Sequence, residues 1–215
     1  MIILGIDPGT LLMGYAVVSR SGSTVSFIRM DVLNMKRIKN PTEKLGLIHE
    51  KIISLIEEYH PDELSIESPF YGKNPQSLIK LGRAQGVAIA AALSKGVPVY
   101  EYAPLKIKQS ITGRGRATKE QLWAMLVRIL NLKGVPVPHY LDASDALGAA
   151  VCHCLQFRVD SKGRIISAGA GQSVSTNAEN TVMAMGAGKA AGVGSKKKTS
   201  WQQFVIANSN RIVKK

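Results

Sequence analysis

The first ten residues, MIILGIDPGT, constrain the fold more than any other part of the chain. From Ile2 to Ile6 no position is polar, which predicts a strand covered on both faces rather than one with a wet side. The run ends in a carboxylate, Asp7, and Pro8 and Gly9 then break it. A carboxylate at the inner end of a buried strand has to be paired, protonated or engaged with a cation. With 215 residues, 45% of them apolar, the chain can bury one sizeable core around such a strand.

The pattern that follows predicts further strands at Gly14–Arg20 and Thr24–Leu33, so an antiparallel meander opens the chain. Asn40-Pro41-Thr42-Glu43 supplies an N-cap, a first-turn proline and an acid at the capping-box position. The helix after it, to about His60, is expected to bury Leu45, Ile48, Ile52, Leu55 and Ile56. A short strand is expected at Glu63–Glu67, a long helix at Asn74–Lys95 and a strand at Pro98–Tyr102. Helices follow at Thr118–Leu132, with Gln121 at the capping-box position, and at Asp142–Phe157. Three hairpin strands followed by alternating helices and strands predict an α/β fold, a mixed five-stranded sheet flanked by helices.

Asp7 is not the only acid at the end of an apolar strand. In DELSIESPFYGKN, Leu64 and Ile66 point one way and Ser65 and Glu67 the other, with Glu67 where the strand gives out. In HYLDASDALGAAVCH, Asp142 and Asp145 share a helix face one turn apart. Helix capping accounts for Asp142 taken alone, whereas strand-end acids have no capping role. Oxygen ligands of this kind suit Mg²⁺ or Mn²⁺, and two such ions about 4 Å apart serve phosphodiester hydrolysis. A structural ion-pair network is the competing reading at this point.

The charge is +13, from 28 Lys and Arg against 15 Asp and Glu, which points to a polyanion such as nucleic acid. In LKIK, alternation would send Leu105 and Ile107 inward and Lys106 and Lys108 outward. GRGRATKEQL adds Arg114, Arg116 and Lys119, and guanidinium groups in a glycine-rich loop suit phosphates. Lys119 stands at the first position of a helix, where the dipole disfavours a cation, so an anionic partner is expected there. Phe70 and Tyr71, followed by Lys73, come straight after Glu67, placed either as core plugs or to stack on unpaired bases. Lys80 and Arg83, one turn apart, are candidates for DNA contacts. The same long helix is rich in small residues, including Gly82, Ala84, Gly86 and Ala88, which allow close approach to the sheet or to a twofold mate.

Residues 158–215 hold 10 basic and 2 acidic residues, and 17 of the 29 from Ser167 to Ser195 are Ala, Gly or Ser. The expected organisation is one domain over residues 1–160 and a flexible, Ala/Gly/Ser-rich basic tail over 161–215, with Lys196–Lys198, Trp201, Phe204 and Val205 near its end. Cys152, His153 and Cys154 resemble a metal trio, but on a helix they point about 100° apart, so packing with one exposed side is expected instead. His139, three residues before Asp142, reads either as a loop histidine without a role or as an aid to proton transfer, the former being the expectation. Two cysteines too close to bridge, no apolar leader before Asp7, and an apolar run from Val87 to Leu93 too short to cross a membrane together predict a cytoplasmic protein.

Four blocks in order, GIDPGTLLMGYAVV, IESPFYGKNPQSLIKLGRAQGVAIAAA, VYEYAPLKIKQSITGRGRATKEQL and DASDALGAAVCH, resemble the RuvC family of Holliday-junction resolvases over residues 1 to about 157. The resemblance implies a ribonuclease H-like fold, a homodimer, and Mg²⁺-dependent nicking of two like-polarity strands of four-way junction DNA. It places Asp7, Glu67, Asp142 and Asp145 on the family's metal-binding carboxylates, with two Mg²⁺ ions per site for which Mn²⁺ can substitute. Lys108 and Lys119 match its catalytic-site lysines, and Phe70 its stacking residue. It further implies a branch-migration helicase partner (RuvA and RuvB), which no residue here shows. GIDPGT also resembles the phosphate loop of sugar kinases and actin-like ATPases, but that fold needs a second domain and an adenosine loop that this chain lacks. A junction-binding architectural protein is the other rival; acids it does not need would repel phosphate.

Overall fold

The computed structural model describes residues 1–69, 74–132, 134–135, 137–159, 165–167 and 173–174. Strand β1 (Ile2–Asp7) pairs antiparallel with β2 (Leu12–Ser21), which pairs antiparallel with β3 (Thr24–Asn34). Helix α1 (Pro41–Tyr59) starts at Asn40, whose side chain accepts a hydrogen bond from the Thr42 N–H. It leads into β4 (Glu63–Glu67), which lies parallel to β1 with Ile6 beside Ile66. Helix α2 (Pro75–Ser94), capped in the same way by Asn74, returns the chain to β5 (Val99–Tyr102), parallel to β4. The sheet order β3-β2-β1-β4-β5 is the mixed five-stranded sheet expected.

Helices α3 (Pro104–Thr112), α4 (Lys119–Ile129) and α5 (Asp142–Leu155) complete the core unit. At α4 the Thr118 hydroxyl accepts from the Gln121 N–H while the Gln121 side chain accepts from the Thr118 N–H, the reciprocal cap anticipated. Helix α3 corrects the sequence reading. LKIK is helical, because Pro104 pre-sets the first turn and Gly113, at φ +75°, closes the last in the left-handed conformation. Ile107 and Ile111, four residues apart, bury together, whereas Leu105 is 51% exposed instead of pointing inward.

Three short strands lie where no strand was expected. β6 (Phe157–Val159) pairs with β7 (Ile165–Ser167), and β8 (Ser173–Val174) adds antiparallel to β5. The last of these covers two positions of an edge that would otherwise leave backbone groups unpaired. The tail features Lys196–Lys198, Trp201, Phe204 and Val205 lie outside the described residues.

The sheet separates two apolar clusters, and the pleat decides which residue joins which. Leu4, Ile6, Leu64 and Ile66 pack with Ile48, Ile52 and Ala88 of α1 and α2. Ile3 packs on the other face with Ala146, Leu147 and Ala150 of α5. Side chains alternate along a strand, so Gly5 and Asp7 of β1 and Ser65 and Glu67 of β4 turn toward α5.

Candidate active site

That parity brings the acids together. β1 and β4 are adjacent and parallel with Ile6 beside Ile66, so Asp7 and Glu67, the next residue of each, end neighbouring strands. Across the other ladder, Asp7 faces Gly14 of β2. Gly14 matters because a methyl group there would stand 2.0 Å from the carbonyl oxygen of Asp142. A methyl on Gly5 would stand 2.3 Å from the carbonyl oxygen of Ala146. Two positions without side chains thus let the first turn of α5 lie directly on the sheet. Ser65 fixes the helix further along, its hydroxyl donating to the Ala149 carbonyl at 2.8 Å. The resulting arrangement sets Asp142 and Asp145, in the first turn of α5, beside the two strand-end acids.

The capping account of Asp142 fails, since the N-cap of α5 is Leu141 and no side chain caps that end. The electrostatics show what four neighbouring carboxylates cost. Burial first, then the charges of Glu67, Asp145 and Asp142, raise the Asp7 carboxyl well above the usual range. Burial, then Asp145, pushes Glu67 up to about 7. Burial also raises Asp145. Among the described residues no hydrogen bond or ion pair reaches the carboxylates of Asp7, Glu67 or Asp142.

Two lysines answer this charge. Lys119, placed at the head of α4 by the Thr118 cap, donates its ammonium to Asp145. The anionic partner that its unfavourable helix position calls for is therefore supplied from within the chain. Lys108 is half-buried on α3, and its charge lowers both Glu67 and Asp145 against the larger effect of burial. Among the described residues no three Asp, Glu, His or Cys side chains stand close enough to hold one ion as they are placed. The four acids converge to within mutual charge range, and Lys119 occupies Asp145, so a finished metal cage is not preformed. The donor set, all carboxylate oxygen with three of its members resisting ionisation, still fits hard divalent cations and suits no soft metal.

The other candidates spread around this centre. Lys80 and Arg83 of α2 line a cleft of about 620 Å³ that reaches Asp142. Lys106 is exposed on α3, and Arg114 and Arg116 lie exposed in the α3–α4 connection. Phe70, Tyr71 and Lys73 fall outside the described residues. His139 is exposed and packs edge-on against Tyr140. The Cys-His-Cys stretch has no exposed side: both thiols and the imidazole are buried. His153 lies between the Tyr102 hydroxyl, 2.6 Å from Nδ1, and Glu63, 2.5 Å from Nε2. Sequence reasoning missed this network, as it missed Gly5, Gly14 and Ser65; the shared pleat parity of Gly5, Asp7, Ser65 and Glu67 was the available signal for those on β1 and β4.

A mixed sheet of this order, with acids closing its first and fourth strands and a third source on α5, has the ribonuclease H-like architecture. The model of the crossover junction endodeoxyribonuclease RuvC family matches residues 3–153. A protein of Cytophaga hutchinsonii bearing the same description is 56% identical over 155 residues, 72% of this chain and 76% of that one. Thermus thermophilus RuvC superposes with a TM-score of 0.65 at 32% identity, over 72% of this chain and 94% of that one. The T. thermophilus RuvC in complex with Holliday junction substrate gives a TM-score of 0.64 at 29% identity with the same coverage. This chain belongs to the RuvC family.

Proposed function

We propose that this chain resolves Holliday junctions by symmetric, metal-dependent nicking of two strands of like polarity, with Asp7, Glu67, Asp142 and Asp145 holding two Mg²⁺ ions, replaceable by Mn²⁺. The observation that carries the reading is the group of acids at one end of the sheet, where burial and neighbouring carboxylates raise Asp7, Glu67 and Asp145 above the ordinary carboxyl range. Such a group is stable only with positive charge beside it. Bound divalent ions would supply that charge, activate water and stabilise the leaving oxygen. Ligation calls for side-chain rotation that closes the acids together and frees Asp145 from Lys119.

The lysines then act on the substrate. Lys119, once released, and Lys108 stand where each ammonium can offset charge developing on the scissile phosphate. Phe70 and Tyr71 stack on bases opened at the crossover, and Lys73, Lys80, Arg83, Lys106, Arg114 and Arg116 contact phosphates. Two sites are needed to cut two strands, so the working form is a homodimer. On α2 the exposed stripe of Ile79, Gly82 and Gly86 supports this, since a methyl on either glycine would meet nothing in its own chain within 4 Å. Residues 1–160 form the nuclease domain and 161–215 a basic tail that adds affinity. No helix among the described residues is long and apolar enough to cross a membrane; the protein acts in the cytoplasm, with a branch-migration helicase (RuvA and RuvB) as partner.

The test is Mg²⁺-dependent cleavage of a synthetic four-way junction, scored for paired nicks, with Asp7→Asn as the control. Paired nicks in the unsubstituted protein and none in the control are expected. Tight junction binding without cleavage by the unsubstituted protein would leave only an architectural role.

A further inference from the structure

The cleft that reaches Asp142 is lined by cations from two distant pieces of sequence: Lys36, Lys39 and Lys44 around the start of α1, and Lys80 and Arg83 on α2. Asp142 is the only acid among the described residues of the lining. Among the described residues none of the five cations is in an ion pair with a carboxylate. Five like charges facing one cleft repel one another, and the single carboxylate of Asp142 offsets only part of that charge, so their natural counter-charge is a ligand. The first turns of α1 and α2 both contribute to the walls, through Thr42 and Ser77, so the positive ends of two long helices add to the same field.

Lys36 also links the cleft to the acids. Its ammonium lies 4.6 Å from the centre of the Tyr140 ring, in the turn that delivers Asp142. The cations come from two separate stretches, residues 36–44 and 80–83, and five of them around a cleft of about 620 Å³ suit a run of phosphates better than a single anion.

We propose that this cleft seats consecutive backbone phosphates of the strand being cut, with Lys36, Lys39 and Lys44 forming the wall opposite Lys80 and Arg83. The inference rests on the resolvase reading and adds to it a path by which the strand leaves the acids past the head of α1.

The experiment measures junction binding in a chelator, where no cleavage occurs, across a salt series. Lys36→Ala/Lys39→Ala/Lys44→Ala is compared with a charge-matched control, Arg29→Ala/Lys51→Ala/Lys95→Ala, drawn from outside the cleft. The cleft variant is expected to lower the slope of log K against log salt by about 2 to 3, while the control leaves it near the parent value. Neutral methylphosphonates placed singly on either side of the cut bond should weaken binding by the parent and have little further effect on the cleft variant. Equal slopes in the two variants, or methylphosphonate effects that persist undiminished in the cleft variant, would overturn the proposal. So would displacement of the junction by low-millimolar inorganic phosphate at constant ionic strength, since that marks a small-anion site. Cleavage in Mg²⁺ is scored separately: a parent that binds through the cleft yet never nicks would sink the resolvase reading and leave the cleft standing.

Discussion

The two ends of α5 solve opposite problems with the same kinds of residue. At its C-terminal end a buried imidazole is supplied with partners on both sides: His153 bridges Tyr102 of β5 and Glu63 at the start of β4, and Tyr100 also donates to Glu63. At its N-terminal end Asp7, Glu67 and Asp142 crowd together with no hydrogen-bonded partner among the described residues, and Asp145 has Lys119 alone. Glu63 and Glu67 sit at opposite ends of one five-residue strand, one satisfied and one not. Buried polar groups with complete partners hold a fold together, whereas incompletely satisfied ones cost stability and are kept where a ligand completes them.

Several substitutions probe this contrast. The largest effect is expected from Asp7→Asn and Glu67→Gln, which should each lower junction nicking roughly 1,000-fold or more while junction binding is kept or improved, because each removes a ligand and a negative charge. Loss of binding in both, measured by anisotropy, would count against a metal site. Next comes Gly14→Ala, whose new methyl group collides with the Asp142 carbonyl. A displacement of the helix head by about 1 Å should reduce nicking about 100-fold with a modest loss of stability, and normal nicking would show the close approach to be unnecessary.

At the other end of the helix the expected pattern reverses. His153→Ala leaves Glu63 and the Tyr102 hydroxyl without their imidazole partner and should lower the thermal midpoint by roughly 5 to 15 °C. Its nicking rate at a temperature where it stays folded should match the parent within about twofold, since the two ends are far apart. An activity loss as large as that of Asp7→Asn would merge the two ends into one unit.

The smallest effect is the pH dependence. Glu67 keeps its proton in the folded protein up to about 7, against 4.5 for an ordinary glutamate. The folded state therefore binds more protons in that window. Its contribution to stability is full below about pH 4.5 and is lost as the pH rises through about 7. Thermal midpoints of the metal-free protein should fall across that range, Glu67→Gln should flatten the fall, and added Mg²⁺ should stabilise more at pH 8 than at pH 5.5. A midpoint that rises with pH in step with the parent in both proteins would contradict the assignment of strain to Glu67.

What could be read from the chain follows the same divide. Asp7 and Glu67 were legible because an apolar strand ending in a carboxylate poses a physical problem visible in six residues, and the parity of Leu64, Ser65, Ile66 and Glu67 gave the facing direction. The helical nature of α3 was not, since four alternating residues satisfy either period and the deciding signals were Pro104 and Gly113 at its ends. The partners of His153 lie 51 and 90 residues away in sequence, so nothing local distinguished it from a packing residue. Lys80 and Arg83 were singled out, but Lys36, Lys39 and Lys44 were hidden for the same reason: residues 36–44 and 80–83 meet only because α1 and α2 pack side by side. The distance between the acids, and the intrusion of Lys119 on Asp145, depend on side-chain placement that no pattern encodes.

The most direct test is anomalous scattering from crystals grown with saturating Mn²⁺. Peaks about 2.0 to 2.3 Å from carboxylate oxygens of Asp7, Glu67, Asp142 and Asp145, with Lys119 drawn away from Asp145, are the result expected here. Manganese bound elsewhere on the protein, with these four side chains still apart and Lys119 still on Asp145, would contradict it.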